Sequence, residues 1–540
     1  MEKIITNCQL YRPYHPLSNK LFQVRIEDGI IKAVEQNGYR LEETEADVFD
    51  AHGKTLAASF KDTHIHLLRF SLMKKELDLR GVTKWSHLKE LLEDTHERKA
   101  LKNNDWLVGR GLRDNTFSDR TTLLNASDLD TIPVESPIFL LHQDGHECVL
   151  NSIALEIVKK EKLLGKEHNQ FIEKDSKGKW NGRFKDTAVH FIKMNFRSKT
   201  EDEAKEALEQ TFDHLAEYGI TSVDSDDLNY VGDYEKVWNA YTKLDQEKGL
   251  TFGAYLHHYV YSIKDMKAFL KNNKKRSAEG TGNVRVGAFK IFVDGTYRLH
   301  TAALNMPYED KKDTCGELIY NQQELNEMLS LAEENHMQVA MHCIGDRAVE
   351  TAAKAISQAN PKEKNPLRHR IIHMQNTRKD LLKFLGEHKI PVETQHSFLM
   401  KEWSRYGKWL GDYREEFVMV GKSFIDHNII FSNSSDAPIG PLNPLEHIFA
   451  AINRTDMSGE PKGGWQAQEK LTIDQAFESY STTPAYINHS DEYTGKLLPG
   501  YQADLILLDR HPHEIGPEEV HLIKVDATWY KGGLVFRRYE

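Results

Sequence analysis

Along the middle of this 540-residue chain, short apolar segments alternate with stretches of helical periodicity, and several segments run into a residue able to bind a metal. Thr221–Asp224 follows a helical stretch from Ala204 to Tyr218. Val284–Val293 carries Lys290 within it. Gln338–His342 follows a helix predicted over Gln323–Glu334. Arg370–His373 ends in a histidine, and Ile429–Asn433 leads to Asp436. Strands alternating with amphipathic helices predict a parallel α/β fold. In a (β/α)8 barrel the C-terminal strand ends share one mouth, so residues far apart in sequence meet there.

The two ends of the chain read differently. Leu21–Glu27 alternates, Asp28-Gly29 marks a hairpin turn, and Ile30–Val34 resumes the strand. Near the other end, Asp504–Asp509 is a buried strand, and Val525–Tyr530 passes through Gly532-Gly533 into Leu534–Phe536. These β-rich ends predict one small β-domain built from both termini, residues 1–56 and 488–540, around a barrel at 57–487. The stretch from Leu67 to Arg197 is long for one strand-to-helix connection, so an inserted subdomain is expected over about 68–197.

The chemistry begins at Asp62-Thr63-His64-Ile65-His66. Side chains alternate along a strand, so His64 and His66 are expected on one face, about 6–7 Å apart, where two imidazoles can converge on a metal. Lys290 lies inside the apolar run Ala288–Phe292. A buried lysine is costly unless it is paired, here with Asp294 or Asp224, or converted by CO2 to an anionic carbamate that bridges metals. His342 and His373 read either as core histidines or as ligands, and Asp436 either as a capping aspartate or as a ligand that also moves a proton. The acidic run Asp224-Ser225-Asp226-Asp227 is expected to be a solvated loop.

A net charge of −11 disfavours a nucleic-acid or anionic-membrane partner. No apolar run approaches the roughly 18 residues of a membrane span, and the first residues lack a signal-peptide core. Cys8, Cys148, Cys315 and Cys343 are scattered, with no disulfide framework, so a reducing, cytoplasmic setting is expected. A small-molecule substrate is the expected partner, and a homodimer the commonest assembly on base rates.

Several blocks, in order, resemble one family. Ala58-Ser59-Phe60-Lys61-Asp62-Thr63-His64-Ile65-His66-Leu67, Trp106–Gly111, Asp144-Gly145-His146 with Asn151–Leu155, and Lys290–Thr296 with Thr301–Leu304 are similar to motifs of the amidohydrolase superfamily. So are His342–Asp346, His373-Met374-Gln375, Ser435–Pro438 with Asn443–Leu445, and Gly495–Gly500 with Ala503-Asp504. Within the superfamily they resemble the YtcJ-like group, amidohydrolase family 3, which includes the N-substituted formamide deformylases. Ala58-Ser59 departs from the family's usual Pro-Gly and leaves the ligands untouched.

The resemblance implies a distorted (β/α)8 TIM barrel, a small β-sandwich from both termini, and one or two divalent metals, zinc foremost. His64 and His66 with Asp436 would bind one metal, and His342 and His373 the other, with carboxylated Lys290 between them. Asp436 and His146 would be catalytic; His146, Asp294 and Arg298 would contact substrate. The implied reaction is hydrolysis of a non-peptide carbon–nitrogen bond of a small molecule by metal-activated hydroxide. Alternatives are the same site acting on an ester, a cyclic imide or an aminated ring as a deaminase, and a metal-binding pseudoenzyme.

Overall fold

The structure is a computed structural model and describes residues 2–38, 46–73, 76–101, 105–196 and 200–538. The chain divides into two compact units. One comprises Met1–His66, Glu209–Asp226 and Tyr241–Glu540; the other comprises Leu67–Leu208 and Asp227–Ala240.

The first unit holds the parallel sheet. Its strands are β1 (Phe60–Ile65), β2 (Ile220–Ser225), β3 (Gly253–Tyr259), β4 (Val284–Phe292), β5 (Val339–Cys343), β6 (Arg370–His373), β7 (Val392–Thr394) and β8 (Phe431–Asn433). They are hydrogen-bonded in chain order, each parallel to the next. Between β8 and β1 the sheet nearly closes: the Thr63 and Ser432 hydroxyls are 2.9 Å apart. Past the strand ends, the Asp436 amide donates to the His64 carbonyl at 2.8 Å and the His66 amide to the Ala437 carbonyl at 3.0 Å. This is the expected barrel-like α/β architecture.

Side-chain alternation then decides what faces the interior. Ala288, Ala340 and Ile372, on β4, β5 and β6, form a small apolar cluster. Two residues further along the first two strands, on the same face, come Lys290 and His342. The interior is otherwise strongly polar. Arg370, fully buried, donates to Asp224 at 2.9 Å, faces His257 Nε2 at 3.0 Å and pairs with Glu393.

The same unit contains an eight-stranded sheet made from both ends of the chain, with the order Gly533–Arg537, Val525–Tyr530, Leu505–Leu508, Thr55–Ala58, Lys3–Leu10, Phe22–Glu27, Ile30–Gln36; Asp47–Asp50 pairs with Lys3–Leu10. Its core includes Ile5, Val24, Ile31, Leu56, Leu505 and Trp529. The expected Asp28-Gly29 hairpin is present, both residues having positive φ (51° and 77°), as a two-residue turn between twisted strands demands.

The second unit is built on a six-stranded sheet in the order Ile172–Lys174, Trp180–Lys185, Glu147–Leu150, Ile138–His142, Leu107–Leu112, Leu77–Asp78. Leu79, Leu88, Leu92, Leu107 and Leu140 belong to its apolar core. Among the described residues no helix is long and apolar enough to cross a membrane.

Candidate metal centre

Each candidate ligand in the first unit lies at or just beyond the C-terminal end of a barrel strand. β1 ends at Ile65, so His66 sits one residue past it; even so the His64 and His66 rings are 5.3 Å apart and both face one carboxylate oxygen. Asp436 Oδ1 is 3.4 Å from His64 Nε2 and 3.2 Å from His66 Nε2. The His373 ring lies 5.1 Å from that of His64 and 4.6 Å from that of His342.

The acidic run at the end of β2 is not the solvated loop expected from its composition. Asp224, Asp226 and Asp227 are all buried. Asp226 Oδ2 is 3.2 Å from Lys290 Nζ and 3.6 Å from His64 Nδ1. Asp226 is therefore the buried counter-ion of Lys290. The two partners considered from sequence are engaged elsewhere. Asp224 accepts from Arg370, and Asp294 accepts from the amides of Ala303 (2.9 Å), Ile344 (2.9 Å) and Gly345 (2.8 Å). Asp294 thus ties the loop after β4 to the loop after β5. Arg298 lies half-buried on the first of these loops.

Among the described residues, ligand atoms lying within 4.8 Å of one another form two groups: His64, His373 and Asp436, and His64, His66 and Asp226. His342 joins neither; its Nε2 is 3.1 Å from the Gly295 carbonyl. The structure therefore brings together His64, His66, His373, Asp436 and Lys290 and sets His342 beside His373. It adds Asp226, which sequence reasoning missed. The signal was available: Asp226 follows a strand end, as the other candidates do. His146, with Asp144, belongs to the second unit. Its Nδ1 is 3.0 Å from Asp186 Oδ1, and its amide donates to Asp144 at 2.9 Å.

Neighbouring groups fix the ligands' proton states and aim. His373 Nδ1–H donates to Gln395 Oε1 at 2.8 Å, and the Gln395 amide is oriented by donating to Ser434 at 2.8 Å. The His66 Nδ1–H donates to the Asp226 carbonyl at 3.2 Å. Each bond leaves Nε2 with a lone pair, the usual way an outer partner orients a metal-binding imidazole. Burial first, then the Lys290 charge, lowers the His64 pKa to about 4, so His64 is a neutral imidazole at physiological pH, the state a metal ligand requires. Burial opposes ionisation of Asp436, but the His64 and His66 imidazoles set against its Oδ1 hold its carboxyl well below the usual range. Burial likewise opposes ionisation of Asp226, and Lys290 more than offsets it. Asp62, whose Oδ1 accepts from the Ser435 amide at 3.0 Å, is pushed up to about 7 by burial.

Two features suit the site to a cation. His64 Nδ1 and Asp226 Oδ1 are buried without a hydrogen-bond partner among the described residues. Such atoms pay full desolvation unless something else satisfies them. His373 (φ 75°) and Asp436 (φ 50°) also occupy the left-handed region, which costs a non-glycine residue about 1–3 kcal/mol and is retained chiefly where geometry matters for function.

A model of the amidohydrolase family matches residues 47–536. YtcJ of Bacillus subtilis (strain 168), named as an amidohydrolase, is 28% identical over 521 residues, covering 95% of this chain and 96% of its own. The N-substituted formamide deformylase of Arthrobacter pascens is 23% identical over 504 residues, covering 92% and 90%. The crystal structure of an uncharacterized metal-dependent hydrolase from Pyrococcus horikoshii OT3 superposes with a TM-score of 0.76 at 23% identity, over 96% of this chain and 99% of that one.

Proposed function

Since the chain belongs to the amidohydrolase family, we propose that it is a divalent-metal-dependent hydrolase that cleaves a non-peptide, amide-like carbon–nitrogen bond of a small molecule. The observation that carries this reading is the convergence of buried imidazoles and carboxylates from separate strand ends, two with unsatisfied polar atoms. His64, His66, His373, Asp226 and Asp436 would hold the metal, with His342 as a further ligand beside His373. Lys290, as a carbamate, would bridge two ions. An imidazole-and-carboxylate donor set suits zinc. When bound, such a cation polarises a carbonyl oxygen and lowers the pKa of water toward neutrality.

The chain's own groups supply the rest. Asp436 is ionised across the physiological range. It is therefore competent to take a proton from water and return it to the departing nitrogen. Gln395 keeps His373 in one tautomer, and the backbone bonds between Asp436, His64, His66 and Ala437 hold the carboxylate against both imidazoles. The amide-like bond is supported by the name of the Arthrobacter relative. The four cysteines are all free, which supports a reducing, cytoplasmic setting.

Metal content per chain, measured by plasma mass spectrometry on protein purified without chelators or an affinity tag, tests the reading. One or two equivalents, lost on His373→Ala, support it. A screen of amides, hydantoins, esters and aminated heterocycles then identifies the bond. No metal, together with no turnover after addition of zinc, manganese or cobalt, overturns it.

A further inference from the structure

The second unit contains three cationic side chains buried close to one another with too little negative charge to balance them. Arg69, Arg110 and Lys193 are 3%, 3% and 5% exposed. Arg110 is paired with Glu76. Among the described residues Arg69 has no carboxylate partner: one long bond, 3.5 Å, reaches the Gln143 carbonyl, and its Nε is buried without a partner. Lys193 has neither an ion pair nor a side-chain hydrogen bond among the described residues; its ammonium lies 5.6 Å from the centre of the Tyr230 ring. Arg110 approaches the same ring, at 5.5 Å. Asp144 is a further acid near them, and it is engaged by His142 at 3.0 Å and by the His146 amide at 2.9 Å.

Arg183, in the same unit, shows what balance looks like. It is equally buried but sits between Asp114 and Glu147, each at 2.6 Å. A buried charge with no partner costs several kcal/mol, and like charges packed together cost more. The Tyr230 face offsets only a fraction of this. Burial, reinforced by Arg69 and Arg110, accordingly lowers the Lys193 pKa well below that of a free lysine. An arrangement this expensive is relieved by an anion.

We propose that Arg69, Arg110 and Lys193 form a binding site for the carboxylate or phosphate group of a small molecule. The guanidinium of Arg69 and the ammonium of Lys193 are the free donors, and Tyr230 forms an aromatic wall. Arg69 is pressed against the turn that carries His146: a Cβ added at Gly145 would come within 2.7 Å of Arg69 Nη1, and Gly145 has φ +82°. Only glycine accommodates both constraints, so this turn is shaped around the guanidinium. None of the three cations is among the proposed metal ligands, so the site is testable without the metal.

The test uses the full-length protein with inorganic phosphate and with N-acetylglycine, each against chloride at matched ionic strength, read by calorimetry and thermal melting. At least one oxyanion is expected to bind and to raise the melting temperature, with at least tenfold weaker binding in Lys193→Met, recovery in Lys193→Arg, and no change in the surface control Lys159→Met. Without oxyanion, Lys193→Met should melt no lower than the wild type, because it removes an unbalanced buried charge. A preference for N-acetylglycine over phosphate identifies the carboxylate of an amide, and the reverse identifies a phosphate group. Arg69→Met provides the same reading if Lys193→Met does not fold. Binding unchanged in both methionine variants, or no effect of either oxyanion beyond chloride, overturns the proposal.

Discussion

Asp226→Asn isolates the group that sequence reasoning missed. The Lys290–Asp226 pair is fully buried with its charges 3.2 Å apart. At an effective dielectric near 20, that separation corresponds to an attraction of about 5 kcal/mol. Removing one partner of a buried pair typically costs about 3–5 kcal/mol, because the survivor is left desolvated. Asparagine preserves shape and removes the charge, so Lys290 would be orphaned inside β4. Measured on chelator-stripped protein, where metal linkage does not enter, the opening of β4 and β2 followed by hydrogen exchange should accelerate between about a hundredfold and several thousandfold. Local exchange is preferable to a global melt because a chain of two units need not unfold in one step. The pH behaviour provides an internal check. The folded-state pKa of Asp226 lies below that of an ordinary aspartate, so its contribution is complete above about pH 4 and is lost only as pH falls through the folded value. The difference between wild type and variant should therefore be flat from about pH 5 to 8. Lys290→Met added to Asp226→Asn should recover part of the loss, since no buried charge is then left unpaired. An acceleration of less than about fivefold, or a double variant no more protected than the single one, would refute the pairing.

Asp436→Asn should retain bound metal and lose turnover by at least about 10²–10⁴-fold, the usual contribution of a positioned proton-transfer group; steady-state kinetics on a hit from the substrate screen checks this. The trio Asp224–Arg370–Glu393 gives a second pH signature. Burial raises Glu393 to about 8 and Asp224 to about 7 despite the shared arginine, so the folded state holds protons that the unfolded chain releases near pH 4. Stability of the stripped protein should therefore fall as pH rises from about 5 to 8, and Glu393→Gln should flatten that slope in urea titrations at several pH values.

How far the fold could be read from sequence depended on how local the signal was. The hairpin at Asp28-Gly29 and the strands Arg370–His373 and Val525–Tyr530 fell where periodicity and turn chemistry placed them. The single helical stretch read from Ala204 to Tyr218 is two helices, Glu201–Glu209 and Phe212–Glu217, separated near Thr211, a fully buried β-branched residue. Helical spacing of buried residues continues across the break, through Ala204, Ala207, Leu208, Thr211, Leu215 and Ala216, so pattern alone does not register it.

The site's charges were least legible, for a physical reason. Composition treats a run of aspartates as solvated, because an isolated buried carboxylate is prohibitively expensive. That inference fails when cations from other strands arrive at the same place. Asp224 is buried because β6 brings Arg370 beside it, and Asp226 because β4 brings Lys290. Neither lysine nor arginine lies near the run in sequence, so burial and pairing are decided together by strand order, a tertiary property. A lysine inside an apolar strand therefore calls for a partner among the acids at neighbouring strand ends. In a parallel sheet β2 and β4 are separated by one strand, within reach of a lysine side chain. Asp294, though closest in sequence, is excluded because three loop amides already claim its oxygens, and Asp224 because Arg370 does. Asp226 is the acid of the three left to answer Lys290.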